Sequence, residues 1–285
     1  MRGFDVGGTY DLTQGIFINQ PAMKLPPPGH QQDFSPDGRY LAAASSDMGT
    51  NDQWVMSLVI SSRDGRAKQT VTYSTPNLSA NVVDFPIWSP DSRHVAVPMR
   101  LSNAQAVRFI IAEPDANQSQ IIDVPDISQA EVVDEAVWSP DSRYLAVSVQ
   151  AQAGDLKLPY FRSDLNLYTP AGNVIRHVVE NAVGYLNAGG ETSDYFQHYY
   201  WSSDGRFIYY VQFMPDEGQH FDLMRYDLKE KATLTLIKAL SDFPVYRNDY
   251  QYALVRWDSG GSNVVGVVDL VKGTTLTLYT TKDAI

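Results

Sequence analysis

Acidic residues and one aromatic, histidine-bearing run give this chain its clearest candidate for a binding site. The run extends from Tyr195 to Tyr200. Acidic residues lie just before it and within two earlier apolar segments that are predicted to be innermost strands. Carboxylates gathered in one place attract a cation or a basic peptide. The candidate binding residues are Asp84, Asp134, Glu135, Glu191, Asp194, Tyr195 and His198. The competing interpretation, which the sequence favours, is that they are solvated loop charges and core aromatics.

Other motifs offer little chemistry. The five histidines show no spacing typical of a metal site. The segment Asp258-Ser259-Gly260-Gly261 resembles the nucleophile segment of trypsin-like proteases, but it lies between two predicted strands and is predicted to be a turn. The chain has no cysteine, which excludes disulfides and thiolate catalysis. The sequence therefore predicts no catalytic residue, metal or cofactor, and it favours a non-catalytic protein over an enzyme.

The elements that must position these residues are repeats. A motif made of an aromatic residue, a tight turn and an apolar run occurs four times in register. A less complete fifth copy keeps the aromatic, the Asp and the apolar run. The aromatics are separated by 54, 50, 63 and 45 residues, a period typical of four-stranded propeller blades. The copies span residues 34–42, 88–96, 138–146, 201–209 and 246–254.

The repeated turn has a local physical explanation. Pro presets the torsion of the second turn position, Asp bonds nearby backbone, and Gly tolerates the exit conformation. Ser92 and Ser142 replace this Gly in two copies, and we expect them to keep φ negative or to accept mild strain. We expect each aromatic to be a buried anchor between sheets, and each Asp and Arg to repeat one structural bond. The structural repeat residues are Phe34, Asp37, Trp88, Asp91, Trp138, Asp141, Trp201 and Asp204.

These repeats resemble the propeller repeat of the TolB-like family, which also builds the non-catalytic propellers of prolyl oligopeptidases and of the tricorn protease. The resemblance covers roughly residues 30 to 270. It implies an all-β propeller of four-stranded blades. The sequence itself contains five full repeats, and its first residues either add a partial sixth or close a ring of five. The resemblance also implies a scaffold that binds a protein or peptide partner. The alternatives are the substrate-gating propeller of a larger prolyl oligopeptidase-like peptidase and a propeller lyase acting on acidic sugars.

The whole chain, residues 1–285, is predicted to be one propeller domain. Each repeat is predicted to place the strand before its anchor innermost, so that the candidate binding residues lie around one mouth of the central channel. Residues 1–31 are predicted to form a partial blade or a closing strand. The repeats are predicted at about 32–80, 81–130, 131–180, 191–240 and 241–285.

Composition limits the partners. The formal net charge of −11 repels phosphate backbones and anionic lipid, so the partner is expected to be basic rather than nucleic acid. No stretch approaches the roughly 20 apolar residues of a membrane span, so no membrane insertion is expected. We expect a periplasmic or other extracytoplasmic location if a signal or anchor lies upstream, and a cytoplasmic location otherwise.

Overall fold

The computed structural model describes residues 8–11, 16–19, 31–49, 54–75, 80–82, 86–101, 106–124, 132–151, 160–185, 199–214, 220–242, 244–247 and 251–282. Their regular elements are all strands, with no helix in these ranges, and neighbouring strands pair antiparallel. In the same ranges no helix is long and apolar enough to cross a membrane. The all-β prediction is therefore confirmed.

The chain starts with a small hairpin and continues into the first repeat. The hairpin pairs β1 (Gly8–Asp11) with β2 (Ile16–Asn19). The first repeat forms a four-stranded sheet in sequence order, because each strand turns back on the one before it. Its strands are β3 (Gln31–Phe34), β4 (Tyr40–Met48), β5 (Trp54–Ser62) and β6 (Ala67–Thr75).

The second repeat has its innermost strand in two pieces, both paired with the same neighbour. Its strands are β7 (Ala80–Val82), β8 (Ile87–Trp88), β9 (Val95–Leu101), β10 (Ala106–Glu113) and β11 (Gln118–Val124). The third repeat has an unbroken innermost strand. Its strands are β12 (Val132–Trp138), β13 (Leu145–Ala151), β14 (Tyr160–Tyr168) and β15 (Val174–Tyr185).

The fourth and fifth repeats follow the same order. The fourth contains β16 (Tyr199–Trp201), β17 (Phe207–Met214), β18 (His220–Asp227) and β19 (Ala232–Leu240). The fifth contains β20 (Val245–Tyr246), β21 (Tyr252–Asp258), β22 (Asn263–Asp269) and β23 (Thr274–Thr281). In each of the five repeats, three antiparallel strands follow the anchor.

Outer strands lead directly into the next repeat. The end of β15 pairs with β17 through Ala182 and Gln212, and the end of β19 pairs with β21 through Leu240 and Trp257. These single pairs join the third, fourth and fifth repeats into one continuous sheet order. The last residues of an outer strand thus complete the inner edge of the following repeat.

A buried carboxylate supports one of these crossings. Asp222 is 1% exposed, and its Oδ1 accepts a hydrogen bond of 3.0 Å from the backbone N–H of Ala239. Ala239 has φ of 53°, a conformation that an L-residue adopts only with support. The imidazole Nε2 of His220 lies 3.1 Å from the same carboxylate oxygen. The His220 and Asp222 pair therefore has a structural role where the fourth repeat crosses to the fifth.

The core lies between consecutive repeats, not within a single sheet. Four clusters of buried apolar side chains fill the four junctions from the first repeat to the fifth. Anchors Trp88, Trp138 and Trp201 are 7%, 4% and 5% exposed. Two of them also bond the preceding repeat: Trp88 Nε1 donates to the carbonyl of Asp33 at 3.1 Å, and Trp138 Nε1 to that of Ile87 at 2.9 Å.

The prediction of a buried anchor is wrong for Phe34, which is 46% exposed. The anchors of later repeats are covered because each packs against the repeat before it. Among the described residues, the first repeat has no such predecessor in contact with Phe34. Its side chain also lacks the N–H with which the indoles of Trp88 and Trp138 bond the preceding repeat.

The charged residues of the turn make local bonds, as predicted. In all four turns the Asp carboxylate accepts hydrogen bonds from the Ser hydroxyl two residues before it and from the Arg backbone N–H two residues after it. Burial raises the pKa of Asp37, but the backbone N–H and guanidinium of Arg39 and the hydroxyl of Ser35 outweigh this and lower it to about 2. These Asp residues are therefore structural.

Ser92 and Ser142 do not keep φ negative, since both have φ of 61°. The mild strain is tolerated because each serine hydroxyl oxygen accepts a hydrogen bond from the turn of the preceding repeat, a link that we call the clasp. Ser92 Oγ accepts from the backbone N–H of Asp37, and Ser142 Oγ from that of Asp91, each at 3.0 Å. Ser at this position therefore links neighbouring turns, which Gly cannot do.

Candidate functional site

The predicted channel-mouth site falls largely outside the described residues. Asp134 and Glu135 lie in β12, where the pairing register shifts between Val133 and Glu135, but their side chains are outside the description. Asp84, Glu191, Asp194, Tyr195 and His198 lie outside the described residues. The channel-mouth site stays a prediction.

A different candidate emerges from comparing the junctions between repeats. At the first junction the ring of Tyr40 stacks on the anchor of the second repeat, Trp88, with centroids 6.1 Å apart. Its hydroxyl donates to Asp115, in the turn after β10, and Arg39 Nη1 lies 3.3 Å from the same carboxylate. The Tyr40 and Asp115 bond closes the outer part of this junction.

The second junction lacks this bond. His94 occupies the position of Tyr40, six residues after its anchor, and stacks on Trp138 at 5.8 Å. Ala171 of the third repeat occupies the position that Asp115 occupies in the second. Ala112 pairs with Val95 and Tyr168 pairs with Leu145, and both partners lie seven residues after their anchors. Asp115 and Ala171 each lie three residues beyond these paired positions. Neither the tyrosine hydroxyl nor the carboxylate is present at the second junction.

A cleft of about 400 Å³ lies at this junction. We call it the His94 cleft. One wall is formed by strands of the second repeat and the other by the turn between β14 and β15. Its volume is within the range of roughly 300–1,000 Å³ that small ligand sites occupy. It is lined by His94, Ile111, Glu113, Gln118, Ser119, Gln120, Pro170 and Ala171.

His94 is the most buried titratable group of the cleft, with its side chain 16% exposed. Burial lowers the pKa of its imidazole, and the carboxylates of Glu113 and Asp91, which act in the opposite direction, offset this only in part. The ring is therefore neutral at pH 7. Its Nδ1 is buried and has no hydrogen-bond partner among the described residues, while Nε2 lies 4.0 Å from Glu113 Oε2.

The cleft is suited to a side chain with an apolar stem and a positive end. Glu113 contributes a negative charge whose side chain is 39% exposed, so it keeps access to solvent and to a ligand. Gln118 and Gln120 add amide groups, and Ile111, Pro170 and Ala171 add apolar surface. Lysine and arginine combine a long aliphatic stem with a charged end in this way. In the described residues, no group of three or more potential metal ligands is found.

The His94 cleft was not among the sequence predictions, although a signal for it exists. The residue six positions after the anchor is aromatic in the other repeats and histidine only in the second. The partner position, Ala171, lies 77 residues further along the chain. Only the paired strands make its equivalence to Asp115 visible.

No protein-family model matches the chain, and curated proteins give no match. Solved structures do. TolB from Acinetobacter baumannii is 15% identical over 88% of this chain and 55% of that one, with a TM-score of 0.36. The beta-propeller domain of the Trilobed protease from Pyrococcus furiosus is 14% identical over 92% and 72%, at 0.43. An oligogalacturonate lyase in complex with manganese is 12% identical over 94% and 69%, at 0.50.

The described strands form several antiparallel sheets, and the solved structures similar to this chain include two TolB proteins and a beta-propeller domain. The expected resemblance to TolB-like propellers is therefore confirmed as a resemblance of fold. The chain spans about half the length of the Acinetobacter baumannii TolB, 55% of it. Propellers host many functions, so the fold does not assign an activity to this chain.

Proposed function

We propose that this chain is a non-catalytic propeller, with five four-stranded blades and a partial sixth, that binds a protein or peptide partner. The proposal rests on the His94 cleft. There the bond that closes the first junction is replaced by an open site carrying the carboxylate of Glu113. We assign to this cleft a lysine or arginine side chain of the partner.

Charge supports this assignment at two ranges. The net charge of −11 draws a basic partner toward the protein. Within the cleft, Glu113 and the neutral imidazole of His94 both offer acceptor atoms to a cationic head group. A rigid junction that still holds its Trp138 anchor presents these groups in a fixed arrangement, which lowers the entropy lost on binding.

The two enzymatic alternatives receive less support from this site. An acidic sugar would meet both the net negative charge and Glu113, which disfavours a lyase substrate at the cleft. The gating propeller of a peptidase stays a prediction about sequence beyond residue 285. Metal analysis of the purified protein tests the lyase alternative.

The direct test is titration calorimetry with two synthetic peptides, Gly-Ser-Arg-Ser-Gly and its citrulline counterpart. Citrulline keeps the shape of arginine without its charge. We expect the arginine peptide to bind about two- to fivefold more tightly. Glu113→Gln should weaken its binding by a similar factor, since about 0.5–1 kcal/mol is lost with one partly exposed ion pair. Glu230→Gln removes a charge from a turn of the fourth repeat, away from the cleft, and should change nothing.

A double variant tests the cleft from the other side. His94→Tyr with Ala171→Asp rebuilds the bond that Tyr40 and Asp115 make at the first junction. We expect this variant to lose peptide binding while its thermal midpoint stays equal or rises. Equal binding of both peptides by the unchanged protein, or full binding by the double variant, contradicts the proposal.

A further inference from the structure

The outer strand of the second repeat brings two amide side chains to the His94 cleft. Gln118 and Gln120 lie in β11, and both line the cleft. Gln118 pairs with Glu113 across the sheet, so its side chain lies on the same face as the carboxylate. Gln120 follows two residues later and lies on that face too. Neither side-chain amide has a hydrogen bond among the described residues.

The first junction uses the equivalent glutamine to join two repeats. Gln69 has the position of Gln120, since each pairs with an isoleucine that in turn pairs with the alanine eight residues after the anchor. Gln69 is 7% exposed, and its Nε2 donates a hydrogen bond of 2.9 Å to the carbonyl of Gln118 in the second repeat. Among the described residues, Gln120 makes no such bond to the third repeat. Its amide is therefore available to a ligand.

The third repeat holds this amide against one wall of the cleft. In the turn between β14 and β15, a Cβ added to Gly172 would lie 3.2 Å from Gln120 Oε1 and 3.7 Å from its Cδ. The glycine thus leaves the space that the amide needs, and Gln120 is half-buried there. A side chain that is already confined loses less conformational entropy when a ligand binds to it.

The acceptor groups of the cleft are spread over two rows of side chains. His94, Glu113 and Gln118 form one row across the sheet, and Gln120 lies in the next row. Residues two positions apart along a strand are separated by about 6.4–6.8 Å. An ammonium group donates from a single nitrogen, whereas a guanidinium donates five N–H groups from three nitrogens in a fixed plane. The spread of acceptors therefore suits a guanidinium better.

The apolar wall favours the same head group. Ile111, Pro170 and Ala171 line the cleft beside the polar side chains. A guanidinium is more weakly hydrated than an ammonium. It therefore loses less favourable hydration when it leaves water for a cleft with this lining.

We infer that the His94 cleft selects arginine over lysine and that Gln120 sets this preference. The inference rests on the proposed function and narrows its ligand to one of the two cationic side chains. The carboxylate of Glu113 attracts either charge. The amide oxygen of Gln120 accepts an N–H group that a guanidinium presents at a distance from Glu113 and that an ammonium lacks.

Titration calorimetry compares Gly-Ser-Arg-Ser-Gly with Gly-Ser-Lys-Ser-Gly. We expect the unchanged protein to bind the arginine peptide about three- to fivefold more tightly. Gln120→Met keeps the length of the side chain without its acceptor. It should lower this ratio below twofold and leave the affinity for the lysine peptide within about twofold. The matched control Gln251→Met makes the same change just before β21, in the fifth repeat, and should keep the full ratio.

The outcomes separate this inference from the proposed function. Equal binding of the arginine and lysine peptides, while arginine still exceeds citrulline, overturns the inference and leaves the proposed function standing. Equal binding of arginine and citrulline overturns both. The comparison on the unchanged protein does not depend on the folding of any variant. Gln120→Ala repeats the test without a long side chain against Gly172, and full arginine preference in both Gln120 variants overturns the role of this residue.

Discussion

We expect substitutions at the last residue of each repeated turn to distinguish the effect of backbone strain on stability from that of the clasp between neighbouring repeats. This residue has positive φ in all four described turns: 69° at Gly38, 61° at Ser92 and Ser142, and 70° at Gly205. Its surroundings differ from turn to turn. At Gly38 they are open, at the two serines they include a donor from the preceding repeat, and at Gly205 they include a carboxylate.

The magnitudes follow from two terms. Positive φ costs a non-glycine residue about 1–2 kcal/mol, and one hydrogen bond contributes about 1 kcal/mol. Ser92→Ala keeps the strain and loses the bond, so it should lower the free energy of unfolding by about 1 kcal/mol. Ser92→Gly loses the bond but releases the strain, so it should stay within about 0.5–1 kcal/mol of the original protein.

The two glycines complete the series. Gly38→Ala adds strain alone and should cost about 1 kcal/mol. Gly205→Ala adds strain and a contact of 2.8 Å with the carboxylate of Asp141, which Ser139 and Arg143 hold in place. Overpacking of this kind costs about 1–3 kcal/mol more.

The assay is urea unfolding followed by tryptophan fluorescence, with the slope checked for each variant. The expected order of stability loss is Gly205→Ala, then Ser92→Ala and Gly38→Ala, then Ser92→Gly. Equal effects of Ala and Gly at position 92 would refute the account of the strain, and a Ser92→Ala variant as stable as the original protein would refute the account of the clasp. A Gly205→Ala variant as stable as Gly38→Ala would refute the account of the contact.

Two further predictions concern the anchors and the buried histidine. Trp138→Phe should cost about 1 kcal/mol more than Trp201→Phe in the same unfolding assay, since only Trp138 donates a bond to the preceding repeat, whereas the buried N–H of Trp201 has no acceptor among the described residues. The folded-state pKa of His94 lies below its ordinary value of 6.5, so the unfolded chain takes up this proton first as pH falls. The free energy of unfolding should therefore decrease as pH falls below 6.5, and His94→Gln should flatten that slope. A dependence of stability on pH that His94→Gln leaves unchanged would contradict this assignment. The charges of Asp91, Arg93 and Glu113 also act on the pKa of His94.

The turns and strands could be predicted because their causes are local. Asp37 binds a hydroxyl two residues before it and a backbone N–H two residues after it, so the motif contains the whole network. The residues at which strands end and begin beside each turn are likewise set by neighbours close in the sequence. The clasp could not be read from the motif, because the donor to Ser92 lies 55 residues away in another turn.

The exposure of Phe34 and the position of the His94 cleft depend on neighbours, not on the repeat itself. Phe34 has the same sequence context as the tryptophan anchors, and only the missing contact on one side distinguishes it. The cleft arises from two single differences, at His94 and Ala171, in elements that meet only when the second and third repeats pack. Sequence analysis of one repeat cannot supply either fact.

The second junction can carry a binding site because its packing does not depend on the charged residue of the cleft, Glu113. Trp138 keeps its hydrogen bond to the second repeat, and the His94 ring still covers it. Glu113 stands 4.0 Å from His94, beyond hydrogen-bond distance, and its side chain is partly solvated. Substitution at Glu113 should therefore change ligand affinity with little change in folding. At the first junction the equivalent carboxylate is not available to a ligand, because Asp115 bonds Tyr40 and Arg39.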